Sequence, residues 1–317
     1  MSDHTQFRAV TSFNQPLIIS SLEHNLKDWI SWSMLKIGGW VNVTTGNSKL
    51  VGGNSASTLQ KVSDPSYTNN TVFQSPRKDW VYESGVNYAS PTGGTFNPLP
   101  VKVYSNNVEI TGTGSYYINY PEGRVIFSTP QNGTIKAQYS YRAVQVYTYD
   151  EANWTMEVNY ESQASPDQWS LNLGSGDYSI SSTSRMQLPA IVVQPVSRGS
   201  SSPFELGTLC AYNRQDVLFH ILTENRMTRN NLADVFRFQK GKDIILYDLY
   251  KVYASGAFPL DYRGMVVNNP PFYPDIVNNS SLVFRQATIE DVSITNIETK
   301  TPNLHWAIVR ATLEVIY

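Results

Sequence analysis

The sequence predicts a β-rich α+β fold, and three observations support that prediction. Turn residues recur about every 8–12 residues between Val101 and Tyr149, and apolar residues alternate with polar ones between the turns. A stretch in the first forty residues instead carries apolar residues at helical spacing. The last third holds two long alternating stretches, Leu282–Ile294 and Trp306–Ile316. We therefore expect an N-terminal amphipathic helix, a small antiparallel β barrel or sandwich module, and a C-terminal α+β domain with long antiparallel strands.

The N-terminal helix is predicted over residues 21–37. Ser20 and Glu23 have the spacing of a capping box, in which each side chain accepts a hydrogen bond from a backbone N–H at the helix start. Gly38 and Gly39 are typical of a helix end. The helix packs either on the core of its own chain or on a neighbouring subunit, and the sequence leaves both open. The apolar residues of its predicted face are Ile19, Leu22, Leu26, Trp29, Ile30, Met34 and Ile37.

The central β module is predicted from hairpins. Val101 and Val103 alternate up to a turn at Asn106-Asn107, and Val108 and Ile110 return from it. The segment Tyr116–Phe127, read YYINYPEGRVIF, makes a second hairpin around Pro121-Glu122-Gly123. Asn132-Gly133 then turns the chain into an alternating strand over Ile135–Tyr141.

The last third mixes strands with a helix. Strands are expected at Leu188–Val196, as an edge strand because Pro189 and Pro195 flank it, and at Phe204–Tyr212, Asp216–Leu222 and Ile244–Val252. A helix is expected at Asn230–Gln239, with Thr228 as its cap and Gly241 beyond its end.

Four segments follow along the chain. Residues 1–45 form a helical segment that packs on the core, and residues 46–100 are rich in loops. Residues 101–150 are the antiparallel β module, and residues 151–317 are the α+β domain.

Composition restricts the partners. The formal net charge is −2, so no charge excess indicates a nucleic acid or an anionic membrane. Charged residues make up 16% of the chain against a usual share of about 25%, while the chain has 20 Tyr and 7 Trp. A surface with few charges and many aromatics is typical of protein–protein contact. It also fits an ordinary all-β protein, because strands favour aromatic residues.

Residues 1–6 lack the pattern of a secretory signal, and no apolar run is long enough to span a membrane. We therefore expect synthesis in the cytoplasm. The one cysteine, Cys210, lies in an apolar stretch and is expected in the core.

The residues suggest no enzyme, metal or cofactor. The four histidines, His4, His24, His220 and His305, never stand at ligand spacing, and His220 reads as a strand residue. The densest carboxylates are Asp150-Glu151, Asp216 with Glu224, and Glu290-Asp291. Neighbouring residues on a strand face opposite ways, so Glu290 and Asp291 are not expected to act together. We expect no catalytic, cofactor-binding or metal-binding residues.

Three blocks of the sequence resemble head-to-tail neck proteins of contractile-tailed bacteriophages. The first is the hairpin YYINYPEGRVIF with the following strand that ends YSYR. The second is the helical start SLEHNLKDWISWSMLKIGGWVNV. The third runs from DVLFHILTENRMTRNNLADVF through FPLDYRGMVV to the last strand.

The resemblance implies a virion structural protein that forms a ring, assembled in the host cytoplasm and located in the virion neck or tail. The last third looks most like a tail terminator, whose rings are typically hexamers. Its partners would be further copies of itself, the portal-side connector, the tail tube and the sheath, with duplex DNA at most passing through the channel. A connector or stopper of the same neck is the first alternative. A baseplate or fibre protein with a glycan-binding β module is the second.

Five residues are candidate inter-subunit contacts. Asp261, Tyr262 and Arg263 form a turn between apolar residues, which is either a contact or a structural turn with a local ion pair. Trp29 and Trp32 are the large aromatics of the predicted N-terminal helix.

Overall fold

The computed structural model describes residues 18–46, 50–51, 54–112, 114–152, 170–172, 177–181, 184–203, 211–301 and 304–316. Strands dominate, and nearly all of their pairings are antiparallel. The protein is therefore a β-rich α+β protein, as the sequence predicts. Cys210 and most of the strand predicted at Phe204–Tyr212 lie outside the described residues.

Among the described residues, the helices are α1 (Ile18–Lys36), α2 (Arg226–Arg237), α3 (Leu249–Ser255) and α4 (Tyr273–Asn278), and a 3-10 turn lies at Asp150–Ala152. The strands are β1 (Trp40–Val43), β2 (Leu50–Val51), β3 (Asn54–Ser55), β4 (Gln60–Lys61), β5 (Val72–Gln74), β6 (Tyr88–Ala89), β7 (Thr95–Phe96), β8 (Lys102–Ser105), β9 (Val108–Glu109), β10 (Tyr116–Asn119), β11 (Arg124–Phe127), β12 (Ile135–Arg142), β13 (Gln145–Thr148), β14 (Ser170–Asn172), β15 (Asp177–Ser181), β16 (Ser184–Gln187), β17 (Ala190–Pro203), β18 (Ala211–Thr223), β19 (Asp243–Tyr247), β20 (Val283–Thr301) and β21 (Leu304–Ile316).

The largest sheet has six strands in the order β13-β17-β18-β21-β20-β19. β13 pairs parallel with the first residues of β17, and the other neighbours pair antiparallel. The β18–β21 register runs from Tyr212 opposite Ile316 to Thr223 opposite His305. This long ladder is the backbone of the C-terminal half.

Two helices, α1 and α2, cover one face of the six-stranded sheet. Alternate residues of each strand point to that face, as the period of two requires. Phe219 of β18 stacks on Phe236 of α2 with 4.5 Å between ring centroids. Each fully buried side chain of this kind stabilises the fold by about 1.5–3 kcal/mol. The helix residues of this core are Leu22, Leu26, Ile30, Met34, Leu232, Ala233 and Phe236.

Helix α1 ends as predicted and begins differently. Gly38 has a positive φ of 82°, and the N–H groups of Gly38 and Gly39 bond to the carbonyls of Leu35 and Met34. This is the Schellman motif. The predicted capping box is wrong, because the described helix already includes Ile18, and Glu23 accepts its hydrogen bond from the distant Tyr149 N–H (2.7 Å).

The central module consists of two four-stranded sheets, β1-β12-β8-β9 and β10-β11-β5-β4, whose facing side chains share one core. Trp80 and Tyr139 stack there with centroids 4.3 Å apart, and both are almost fully buried. The Tyr139 hydroxyl donates to the Ala56 carbonyl and accepts from Ser75 Oγ, each at 2.7 Å. Strands β1, β4 and β5, which precede residue 101, complete these sheets, and β13 joins the six-stranded sheet.

Both predicted hairpins of the module are confirmed. Asn106 and Asn107 have φ values of 49° and 69°, as a two-residue turn of type I′ requires. Tyr116 pairs with Phe127 and Asn119 with Arg124, so the second turn lies at Pro121-Glu122-Gly123.

Three predictions in the last third need correction. The second helix begins earlier, because Asn225 rather than Thr228 is its cap and accepts from the N–H groups of Met227 and Thr228. The strand predicted at Ile244–Val252 stops at Tyr247, because Asp248 accepts from Lys251 N–H and starts α3.

Strand β17 is the third correction, since it is not an edge strand over its apolar part. β13 covers it from Ala190 to Val193, and those residues are fully buried. Pro195 is accommodated because it lies beyond the end of β13, at a register shift opposite β18.

Candidate functional site

The β10–β11 hairpin positions one half of the candidate site. Its turn is held by Asn119 Oδ1, which accepts from Glu122 N–H at 3.0 Å. Gly123 has a φ of 62°, and a Cβ atom there would lie 2.4 Å from the Arg77 carbonyl oxygen. Only glycine fits this approach, so the hairpin is fixed against the segment before Trp80.

The turn at Asp261–Gly264 forms the other half. Asp261 Oδ1 accepts from the N–H groups of Arg263 and Met265, both at 2.9 Å. The Asp261 N–H donates to the Met265 carbonyl at 2.8 Å, and Gly264 has a φ of 74°. The carboxylate thus closes its own turn through backbone hydrogen bonds.

The two halves meet through the backbone. The Tyr120 N–H donates to the Gly264 carbonyl at 3.0 Å. A Cβ atom at Gly264 would lie 2.7 Å from Asn119 Oδ1, so the turn and the hairpin are in close contact. Two features that are 140 residues apart in the sequence therefore form one surface.

Tyr262 and Arg263 are displayed at the tip of this turn. The Tyr262 side chain is 87% exposed. The Arg263 guanidinium lies 5.1 Å from the Tyr262 ring centroid, and its Nε donates to the Tyr262 hydroxyl at 2.7 Å. The backbone beneath the pair is fixed from both sides, so little conformational entropy remains to be lost on binding.

Two further tyrosines, Tyr67 and Tyr117, adjoin the tip. Burial and a hydrogen bond with Tyr67 together raise the pKa of Tyr117 to about 12, while nearby Arg263 acts in the opposite direction. Arg263 supplies a positive charge beside these tyrosines. We call Tyr67, Tyr117, Tyr262 and Arg263 the tyrosine patch.

The tyrosine patch can recognise a partner in two ways. Tyr and Arg are the residue types that contribute most to binding at protein interfaces, because they combine large apolar area with hydrogen bonds. Aromatic rings can also stack on other flat or apolar surfaces.

Trp29 and Trp32 lie apart from the patch. Trp29 is half-buried against the core of the six-stranded sheet. Trp32 is half-buried against the small cluster of Leu35, Val81 and Val86. Both therefore contact their own chain, which is the first of the two readings that the sequence left open for this helix.

The patch also contains residues that were not singled out. Tyr117 lies in the hairpin that carries the resemblance, but Tyr67 lies in a loop with no pattern of its own. Only the folded chain brings Tyr67 to Tyr117, so no local signal could have identified it.

Four of the carboxylates considered for catalysis form ion pairs away from the patch. Asp216 lies 2.7 Å from Arg310 Nη2, and Glu151 lies 2.6 Å from Lys27 Nζ. Glu290 and Asp291 pair with different cations, Arg214 and Lys240.

His220 is 6% exposed, and its Nε2 lies 2.6 Å from Gln194 Oε1. Burial lowers its pKa to about 4.

Over the part of the chain that the structure describes, no group of three or more His, Cys, Asp or Glu side chains is placed to hold a metal ion. None of the described helices is long and apolar enough to cross a membrane.

Comparison with protein-family models and with curated proteins finds no match for this chain.

Proposed function

We propose that the chain is a structural subunit of the neck of a contractile-tailed phage, and that it forms a ring there. The role that fits best is the tail terminator, which joins the head connector to the tail tube and sheath. The observation that carries the proposal is the tyrosine patch, a rigid and exposed Tyr–Arg surface suited to docking a neighbouring subunit of the ring.

The patch also connects the structure with the resemblance. Two of the three resembling blocks contain YYINYPEGRVIF and FPLDYRGMVV, which are far apart in the sequence, and these segments supply Tyr117, Tyr262 and Arg263 of the patch. A joint surface made from these blocks is expected if the blocks serve one docking function.

The edges of the six-stranded sheet support a ring. Within the described residues, no strand pairs with the outer edge of β17 beyond Val193 or with that of β20 beyond Ile289. These edges lie on opposite sides of the sheet and differ in sequence. If one edge of a subunit pairs with the other edge of the next subunit, the contact is heterologous. Such contacts close into a ring when the rotation between neighbouring subunits divides a full turn evenly.

Register shifts near Ile289, Ile294 and Thr299 make β20 irregular. Such bulges twist an edge, so they favour one matching partner over open-ended stacking of strands.

A connector or stopper of the same neck would use the same surfaces. A baseplate or fibre protein is the second candidate, and one observation favours it. The exposed Tyr262 ring could stack on a sugar.

The net charge of −2 fits the channel of a ring that duplex DNA crosses without tight binding.

The experiment compares Tyr262→Ala with Tyr250→Ala, a control at another exposed tyrosine (54%), which lies on α3. Self-association is measured by sedimentation velocity and native mass spectrometry. We expect closed rings, most simply hexamers, for the unaltered chain and the control. We expect the dissociation constant to increase at least about 30-fold for Tyr262→Ala, as for an interface residue worth 2 kcal/mol.

A chain that remains monomeric at all concentrations, or rings that Tyr262→Ala leaves intact, would contradict this role of the patch. A parallel trimer that binds glycans, with binding lost in Tyr262→Ala, would favour the fibre protein.

A further inference from the structure

A cavity of about 290 Å³ lies between α1, the end of β12 and the segment that runs from β19 to α4. Its wall includes Asp28, Trp32, Tyr82, Arg142 and Phe272. The lining extends from buried residues at its base to Glu151 and Tyr253 at the surface, so the cavity opens to solvent.

Most charges around the cavity are paired. Lys27 Nζ lies 2.6 Å from Glu151 Oε1 near the mouth. Deeper in the wall, the Arg142 guanidinium forms ion pairs with Glu83 and with Asp79, whose Oδ1 lies 3.3 Å from Arg142 Nε. These two cations therefore face three carboxylates, which already leaves one negative charge in excess.

Asp28 adds a fourth carboxylate. Its Oδ2 accepts from the Tyr247 hydroxyl at 2.6 Å, and among the described residues it forms no ion pair. Burial raises the pKa of Asp28, and the positive charges of Lys27 and Arg142 act against that rise. Lys27 and Arg142 thus stand against four carboxylates when all are ionised, and the excess stays negative even if His24, which also lines the cavity, is counted as a third cation.

Aromatic rings form the rest of the wall. Trp32, Tyr82 and Phe272 come from three different parts of the chain, and the rings of Tyr82 and Phe272 lie 6.3 Å apart. The Arg142 guanidinium already lies 5.6 Å from the Tyr82 ring centroid. Aromatic faces attract cations and also bury apolar stems, so the wall suits a ligand that has both.

We propose that this cavity binds an organic cation with a short apolar stem, whose ammonium or guanidinium group pairs with Asp28 and whose stem lies against Trp32 and Phe272. The volume is at the lower end of the roughly 300–1,000 Å³ of ligand sites, which suits a ligand the size of one side chain. A lysine or arginine side chain of a partner protein and a free small amine have this chemistry in common. The proposal does not depend on the proposed function.

The test titrates the full chain with n-butylguanidinium and with its neutral analogue n-butylurea, followed by ligand-observed NMR. We expect saturable binding of butylguanidinium at millimolar concentration and binding of butylurea at least about tenfold weaker, a difference of 1.4 kcal/mol. Asp28→Asn keeps the size of the side chain and an acceptor for the Tyr247 hydroxyl, so it should fold and lose at least about tenfold in affinity. Asp291→Asn, a carboxylate outside the cavity, is the matched control and should bind like the unaltered chain.

The proposal would be overturned if butylguanidinium shows no saturable binding. It would also be overturned if butylurea binds as tightly as butylguanidinium, or if Asp28→Asn binds butylguanidinium as tightly as the unaltered chain. Once butylguanidinium binds, the peptide acetyl-Ala-Arg-Ala-amide identifies the source. Tighter binding of the peptide supports a partner's side chain, and exclusion of the peptide supports a free small amine.

Discussion

Arg142 is the residue whose replacement tests the energetics of this fold most sharply. Its guanidinium is 7% exposed, pairs with Glu83 and Asp79, and donates to Ser31 Oγ at 2.9 Å. It therefore ties α1, the segment after β5 and the end of β12 together. Arg142→Met keeps most of the volume and leaves two carboxylates without a counter-charge.

The expected cost is about 3–5 kcal/mol of unfolding free energy at neutral pH, the usual loss when one partner of a buried pair is removed. The pH dependence has a definite sign. Burial raises the pKa of Asp79 and Arg142 acts against that rise, so without Arg142 the Asp79 carboxyl protonates more readily in the folded state. The variant should therefore lose more stability relative to the unaltered chain as pH rises from 5 to 8.

The assay is urea denaturation at both pH values, followed by circular dichroism and by tryptophan fluorescence. The slope of unfolding free energy against urea concentration should be the same for all variants. The triple variant Arg142→Met, Asp79→Asn, Glu83→Gln removes all three charges and is the matched control. Its unfolding free energy should lie within about 2 kcal/mol of that of the unaltered chain, because uncharged replacements of a buried ionic group are often tolerated. A single variant that costs under about 1 kcal/mol, or a triple variant as unstable as the single one, would refute this reasoning.

Three further predictions concern single positions. Gly264→Ala should cost more stability than Gly256→Ala by about 1–2 kcal/mol in urea denaturation, because both glycines have positive φ but only the first would place a Cβ against another residue. Tyr139→Phe should cost about 1–3 kcal/mol in the same assay, because it leaves the buried Ala56 carbonyl without its donor. The His220 pKa of about 4 lies below the ordinary 6.5, so its contribution is present above pH 6.5 and is lost as pH falls towards 4. When the pH is lowered from 6.5 to 4, the unfolding free energy of His220→Gln should therefore fall by about 3 kcal/mol less than that of the unaltered chain.

Each of these three predictions would be contradicted by a specific result. Equal losses for the two glycine variants would mean that Gly264 is not tightly packed on the hairpin. An unchanged unfolding free energy for Tyr139→Phe would show that the Tyr139 hydroxyl does not stabilise the fold. Identical pH profiles with and without His220 would show that its protonation is not coupled to folding.

Local chemistry explains which parts of the fold could be predicted. The hairpin turns at Asn106-Asn107 and at Pro121-Glu122-Gly123 are fixed by residues within the turns, so the sequence identifies them. The start of α3 was missed although its signal is local, because the apolar run over 244–252 outweighed Asp248 as a cap.

Other features depend on distant contacts and could not be predicted. Glu23 accepts from the Tyr149 N–H instead of capping its own helix. Asn25 is fully buried because its carboxamide exchanges two hydrogen bonds with the backbone of Tyr247. The tyrosine patch likewise needs the approach of Gly264 to the hairpin, which no spacing in the sequence indicates.

In the proposed function, the chain forms a ring in the neck of a contractile-tailed phage. Cryo-electron microscopy of the assembled particle, with the chain located by an inserted tag, tests it most directly. We expect density for the chain as a closed ring between portal and tail tube, with the tyrosine patch at a protein contact. Density at the baseplate or along a fibre, or a patch facing solvent in an assembled ring, would contradict it.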